Sequence, residues 1–140
     1  MTTDWLYQVR IKVDDKTATD LRDKVSSYTA NQIIKIAKRH GTKPICTFDA
    51  FSDYCHEAEQ NGIEHYSLYT WTKQTIENPE KRKKHLKSFA FYKGLEQVYE
   101  ESVAKALHVD LITLLNSGQI EELKLIDSNP ANNPQPPKNL

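Results

Sequence analysis

The chain has 140 residues, 38% of them hydrophobic, and its 19 basic residues are balanced by 19 acidic ones. That length suits one ordinary domain, and the balance excludes a uniformly basic nucleic-acid coat or an acidic solvating chain. Two cysteines, Cys46 and Cys55, cannot make a disulfide framework, and no stretch approaches the ~20 apolar residues of a membrane span, so a cytoplasmic protein with no membrane partner is expected.

Tyr7, Val9, Ile11 and Val13 alternate with Gln8, Arg10 and Lys12, the period of a half-buried strand. Asp14, Asp15 and Lys16 read as a turn, after which Thr17 caps a helix carrying Leu21, Val25 and Tyr28 on one face. Residues 31–40 fit either period, and the β-branched Ile33, Ile34 and Ile36 favour a strand. Residues 44–48 read as a short apolar strand. Over residues 49–60 the pattern is helical: Phe48, Phe51, Cys55 and Ala58 share one face, with Asn61 and Gly62 as the stop signal.

Residues 65–71 alternate again and predict a strand. The sum over residues 6–71 is the ferredoxin-like order βαββαβ. Beyond it, Asn78 and Pro79 form a helix start for residues 80–87. Phe89 and Phe91 alternate as buried strand residues do, and Leu95 to Leu107 predicts an amphipathic helix. Asp110 caps a short last helix closed by Gly118, and residues 119–127 form either an edge strand or a helical turn. The fold class expected is therefore α+β, a ferredoxin-like first half followed by a mainly helical second half; the alternative is a mainly α body with one N-terminal strand. One domain spans residues 1–127, and residues 128–140, rich in Pro and Asn, predict a disordered tail.

Net neutrality conceals blocks. Residues 24–48 carry plus five, 49–64 minus five, 65–95 plus five and 96–127 minus five. Folding either interleaves these blocks into a mixed surface or leaves local patches that attract a partner.

The motifs of common chemistry are missing. Gly41, Gly62, Gly94 and Gly118 are too dispersed for a phosphate-cradling loop, and no serine sits in a nucleophile elbow. Cys and His lack paired metal-ligand spacing. Asp49, Asp53 and His56 share a helix face, but with no second copy of the pattern they read as a solvated polar face. No cofactor, metal site or catalytic residue is therefore expected. One constellation stands out: Lys81, Arg82, Lys83, Lys84 and Lys87 beside Tyr69 and Trp71. Cations neutralise phosphates and aromatic faces stack bases, so this is the candidate surface for an anionic partner. The expectation is a non-enzymatic interaction or regulatory protein that contacts a protein partner or a second copy of itself; the alternative is a nucleic-acid-binding module built on that basic helix.

Overall fold

The computed structural model describes residues 6–127. The alternation at the start of the chain forms strand β1 (Tyr7–Lys12), with Val9, Ile11 and Val13 on the face turned to the core and all but inaccessible. Helix α1 (Asp15–Asp23) is capped by Asp14 rather than Thr17: the Asp14 carboxylate accepts from the Thr17 amide at 2.7 Å. It stops at Lys24, whose φ of 59° is left-handed, so Val25 and Tyr28 do not extend its face. Both are exposed instead.

Helix α2 (Tyr28–Arg39) replaces the expected strand over residues 31–40. The reason is one of magnitude. A β-branched residue in a helix costs at most about 0.7 kcal/mol relative to Ala, whereas burying an isoleucine side chain contributes about 1.5–3 kcal/mol. Ala30, Ile33, Ile36 and Ala37 fall at spacings of three, three and one, and only a helix buries all four together. Strand β2 (Lys43–Cys46) follows, and helix α3 (Thr47–Asn61) begins directly after it, taking Thr47 and Phe48 out of the strand predicted there.

Residues 65–71 are not a strand. After α3 a single 3-10 turn (Ile63–His65) leads into helix α4 (Tyr69–Glu77). The aromatics that suggested alternation pack sideways on α3: the Tyr54 and Tyr66 rings lie 5.5 Å apart, and the Tyr54 hydroxyl accepts from the Leu68 amide at 3.2 Å. Helix α5 (Pro79–Leu86) starts where Asn78 and Pro79 predicted. The Asn78 Oδ1 accepts from the Glu80 and Lys81 amides at 3.0 and 3.1 Å.

Strand β3 (Ser88–Tyr92) buries Phe89 and Phe91. Helix α6 (Glu101–Asn116) is one continuous element in place of the two predicted, because Ala104, Leu107, Leu111 and Leu114 keep one buried stripe straight through Asp110. Leu95, assigned to that helix from its spacing, stands 93% exposed in the preceding turn. Strand β4 (Glu122–Asp127) resolves residues 119–127 as an edge strand. The proline-rich segment at 128–140 lies outside the described residues.

All four strands form one antiparallel sheet in the order β2-β3-β1-β4, so the protein is α+β. The βαββαβ order does not occur within residues 6–71, which contain β1 and β2 alone. One sheet face carries Val9, Ile11, Phe89, Phe91 and Cys46 against α1, α2 and α6, forming the hydrophobic core. Helices α3, α4 and α5 all fall between β2 and β3 in the chain, and they pack over part of the opposite face. Among the described residues, no helix is long and apolar enough to cross a membrane.

Candidate functional site

Because side chains alternate across a strand, the residues between the core positions of β1 and β3 must face the α3–α5 side. Cross-strand pairing aligns four of them in a row: Ile45 opposite Ala90, Ala90 opposite Arg10, and Arg10 opposite Lys124. The adjacent row is Ser88, Lys12 and Glu122. Ala90 contributes only a methyl group between larger neighbours, so the floor is low beside Arg10. Phe51 of α3 and Trp71 of α4 stand above that floor, in edge contact with 5.9 Å between their ring centroids. The His85 ring of α5 packs against Phe51 in the same manner at 5.2 Å.

The space between floor and roof is a cleft with two ends that share Arg10, Thr47, Phe51 and Trp71. The inner end has a volume of about 270 Å³ and is walled by Ile45, Ala50, Phe51, Tyr54, Leu68, Trp71 and Tyr92, with Thr47, Thr72 and Gln97 as its polar groups. The outer end, about 510 Å³, is walled by Lys12, Lys84, His85, Ser88, Glu122 and Lys124. One end is therefore aromatic and the other cationic.

Arg10 stands at their junction. Its Nε donates to the Oε1 of Gln8, and Gln8 is held in turn by its own amide, which donates to the Gln97 carbonyl at 3.4 Å. The two terminal Nη groups have no hydrogen-bond or ion-pair partner among the described residues, although Arg10 is partly buried. Burial pulls the guanidinium below its usual pKa, and the ionisable group that acts against that pull is the Tyr92 phenol. A partly desolvated guanidinium normally recruits a carboxylate. Here the carboxylate in the cleft wall, Glu122, is taken by Lys124 at 2.9 Å.

The surrounding groups keep the cleft positive. Burial, then the nearby charges of Lys84, Arg10 and Lys81, push the His85 imidazole below its usual pKa, so at neutral pH it offers one donor and one acceptor without charge. Burial pushes the Tyr92 hydroxyl upward, which keeps it a neutral donor. Thr47 and Ser88 bond to each other at 3.3 Å and neither is joined to His85, so no activated hydroxyl results. The Cys46 thiol, buried and within 3.6 Å of the His85 and Leu86 carbonyls, is pushed up and stays protonated.

The structure separates the residues predicted as one anionic-partner surface. Trp71 and Lys84 do enter the cleft wall. Tyr69 does not: its hydroxyl donates to Glu59 at 2.6 Å, beside Lys73 at 3.1 Å from the same oxygen, which leaves it holding α4 to α3. Arg82 lies over the Phe48 ring, 5.1 Å from its centroid. Lys87 is paired with Glu121 at 3.3 Å, while Lys81 and Lys83 project from the exposed side of α5. Asp49 is drawn to Arg22 at 2.8 Å and His56 is bonded to Gln60, which divides the polar face of α3. Among the described residues no three His, Cys, Asp or Glu side chains cluster as metal ligands would. Arg10, Gln8, Phe51 and His85 were missed, although the polar side of the first strand already named Arg10 as a residue of the face opposite the core. No family model, curated protein or solved structure matches the chain.

Proposed function

We propose that the protein is a non-catalytic cytoplasmic module that binds an anionic partner in the cleft between the sheet and helices α3–α5. The observation that carries this reading is the Arg10 guanidinium, oriented through Nε by Gln8 and lining a cleft in whose wall, among the described residues, no carboxylate is free to pair with its Nη groups. A fork of N–H donors in that state matches a phosphate or carboxylate bidentately. Lys12 and Lys84 add charge at the outer end.

The same reading includes the finer fold. β1 and β2 run parallel with β3 between them, and β3 and β4 run parallel with β1 between them, and this pairing supports a split-βαβ, ferredoxin-like reading. On this view it spans residues 7–127, and α3–α5 are an insertion between β2 and β3.

Contact with a protein partner or a second copy draws its support from exposed apolar side chains, Leu95 foremost. The charge blocks favour it less than their size suggests, since part of each is paired with another: Arg39 with Asp110, Lys73 with Glu59, Lys93 with Glu100. Calorimetric titration with inorganic pyrophosphate at low and moderate salt tests the cleft. Binding that weakens with salt and is lost in Arg10→Met is the expected result. Absence of binding at low salt refutes it, and a salt-dependent dimer by light scattering would move the weight to protein contact.

A further inference from the structure

We infer that the cleft is a nucleotide site, with the base in the aromatic inner end and the phosphate on Arg10 at the edge of the cationic outer end. The inference rests on the anion-binding reading above and adds the ligand's other half. A phosphate or pyrophosphate alone explains the outer end and leaves the inner end without a purpose. The inner end is walled by Phe51, Tyr54, Trp71 and Tyr92, lies directly against the Arg10 guanidinium, and has a floor lowered by Ala90. Its 270 Å³ falls just below the usual range of ligand pockets, about 300 to 1,000 Å³. That admits one planar ring system and excludes a long aliphatic chain or a folded peptide.

Aromatic side chains bind bases by their faces and edges, with each stacked base contributing about 1–3 kcal/mol. Polar groups in the wall, Thr47, Thr72 and Gln97, match the donors and acceptors of a base edge. The distribution of charge agrees with this polarity of binding. Among the described residues, the cations Lys12, Lys84 and Lys124 stand at the outer end alone, and Arg10 is the one cation of the inner wall. A nucleotide has this same two-part chemistry in one molecule.

Two sources supply such a ligand, a free mononucleotide and a nucleotide within a single strand. The test is calorimetric titration of the full chain with AMP, GMP, CMP and UMP, with ribose 5-phosphate and pyrophosphate, and with a ten-nucleotide single strand, at two salt concentrations. At least one mononucleotide binds ten times more tightly than ribose 5-phosphate and quenches Trp71 fluorescence. Ala90→Leu, which fills the floor of the inner end, weakens the nucleotide tenfold and leaves pyrophosphate affinity within twofold; Trp71→Phe, a milder change, reports the same site should Ala90→Leu not fold. A strand that binds tenfold more tightly than its mononucleotide, with a steeper salt slope, identifies the strand as source, and equal affinities identify the free nucleotide. Ribose 5-phosphate binding as well as every nucleotide overturns this inference while leaving the anion site standing. Failure of pyrophosphate and nucleotides alike removes both.

Discussion

Replacing Arg10 by methionine separates a binding residue from a structural one, because the two roles predict opposite signs. In the folded chain the guanidinium makes one side-chain hydrogen bond, from Nε to Gln8. Losing a hydrogen bond to a charged group costs about 1.5–3 kcal/mol. Against that stands the cost of holding an unpaired cation in a partly dry cleft, several kcal/mol for a fully buried ion and a fraction of it here. Methionine also places an apolar, adaptable stem beneath Phe51 and Trp71, worth up to about 1 kcal/mol of added burial. The terms nearly cancel, so the net change lies between zero and a gain of about 1 kcal/mol, which raises Tm by at most about 5 °C. Saturating pyrophosphate, at a hundred times its Kd, stabilises the native chain by about 2.7 kcal/mol and leaves the variant unmoved. Thermal unfolding followed by circular dichroism, with and without pyrophosphate, measures both effects. A variant that loses more than about 2 kcal/mol yet keeps its pyrophosphate response shows that Arg10 holds the sheet together and that the anion binds elsewhere.

Three further outcomes follow from packing, capping and titration. Phe91, fully buried in the central strand β3, becomes a cavity in Phe91→Ala; urea unfolding is expected to show a loss of about 3–5 kcal/mol, and a loss under 1 kcal/mol would contradict the assigned core. Asn78→Ala removes the acceptor of two α5 amides and costs about 1 kcal/mol, with amide exchange of Glu80 and Lys81 rising more than that of α6. The Asp110 carboxylate is held below its usual pKa, first by the hydrogen bond to His40 at 2.5 Å and then by Arg39. A carboxyl with a depressed folded pKa contributes stability above its unfolded value of about 3.9, and that contribution is lost as pH falls through the folded value. Asp110→Asn is therefore expected to be less stable than the native chain near pH 7 by under about 1 kcal/mol, with the two converging as pH falls through the folded value. A difference that grows on acidification reverses the sign and discards the argument.

What could be read from the sequence was whatever short-range periodicity decides. β1, α3 and the start of α5 each announce themselves within a dozen residues, through alternation, a helical stripe or an Asn-Pro cap. The misreadings share one cause. At 31–40 and 65–71 local propensity pointed to strands, but the partners that decided the outcome, α6 for the first and α3 for the second, lie some seventy and ten residues away. The cleft was less legible still. Trp71 and Lys84 were reached as part of a basic and aromatic run, but half of that run serves other purposes, as Tyr69 on Glu59 and Lys87 on Glu121 illustrate. Arg10, Phe51, Trp71 and His85 meet only because three helices return over the sheet between β2 and β3, and no spacing rule encodes that return.

The zero net charge takes on a different meaning once the pairs are placed. A neutral chain concentrates positive charge in one cleft only by committing its acids elsewhere, and the pairs show how. Asp49 is bound by Arg22, Glu59 by Lys73, Glu100 by Lys93, Asp110 by Arg39 and Glu121 by Lys87, over separations that run from seven residues to 71. Exposed pairs of this kind contribute little to stability, about 0–1 kcal/mol each. None of these carboxylates lines the cleft, and each has a cation of its own beside it. Glu122 could have neutralised the cleft; it sits opposite Lys12, two residues along β4 from the row that holds Arg10, and is paired with Lys124 instead. The balance of charges over the whole chain and the imbalance within the cleft are therefore two results of one pairing pattern, and the guanidinium left over is where an external anion gains most.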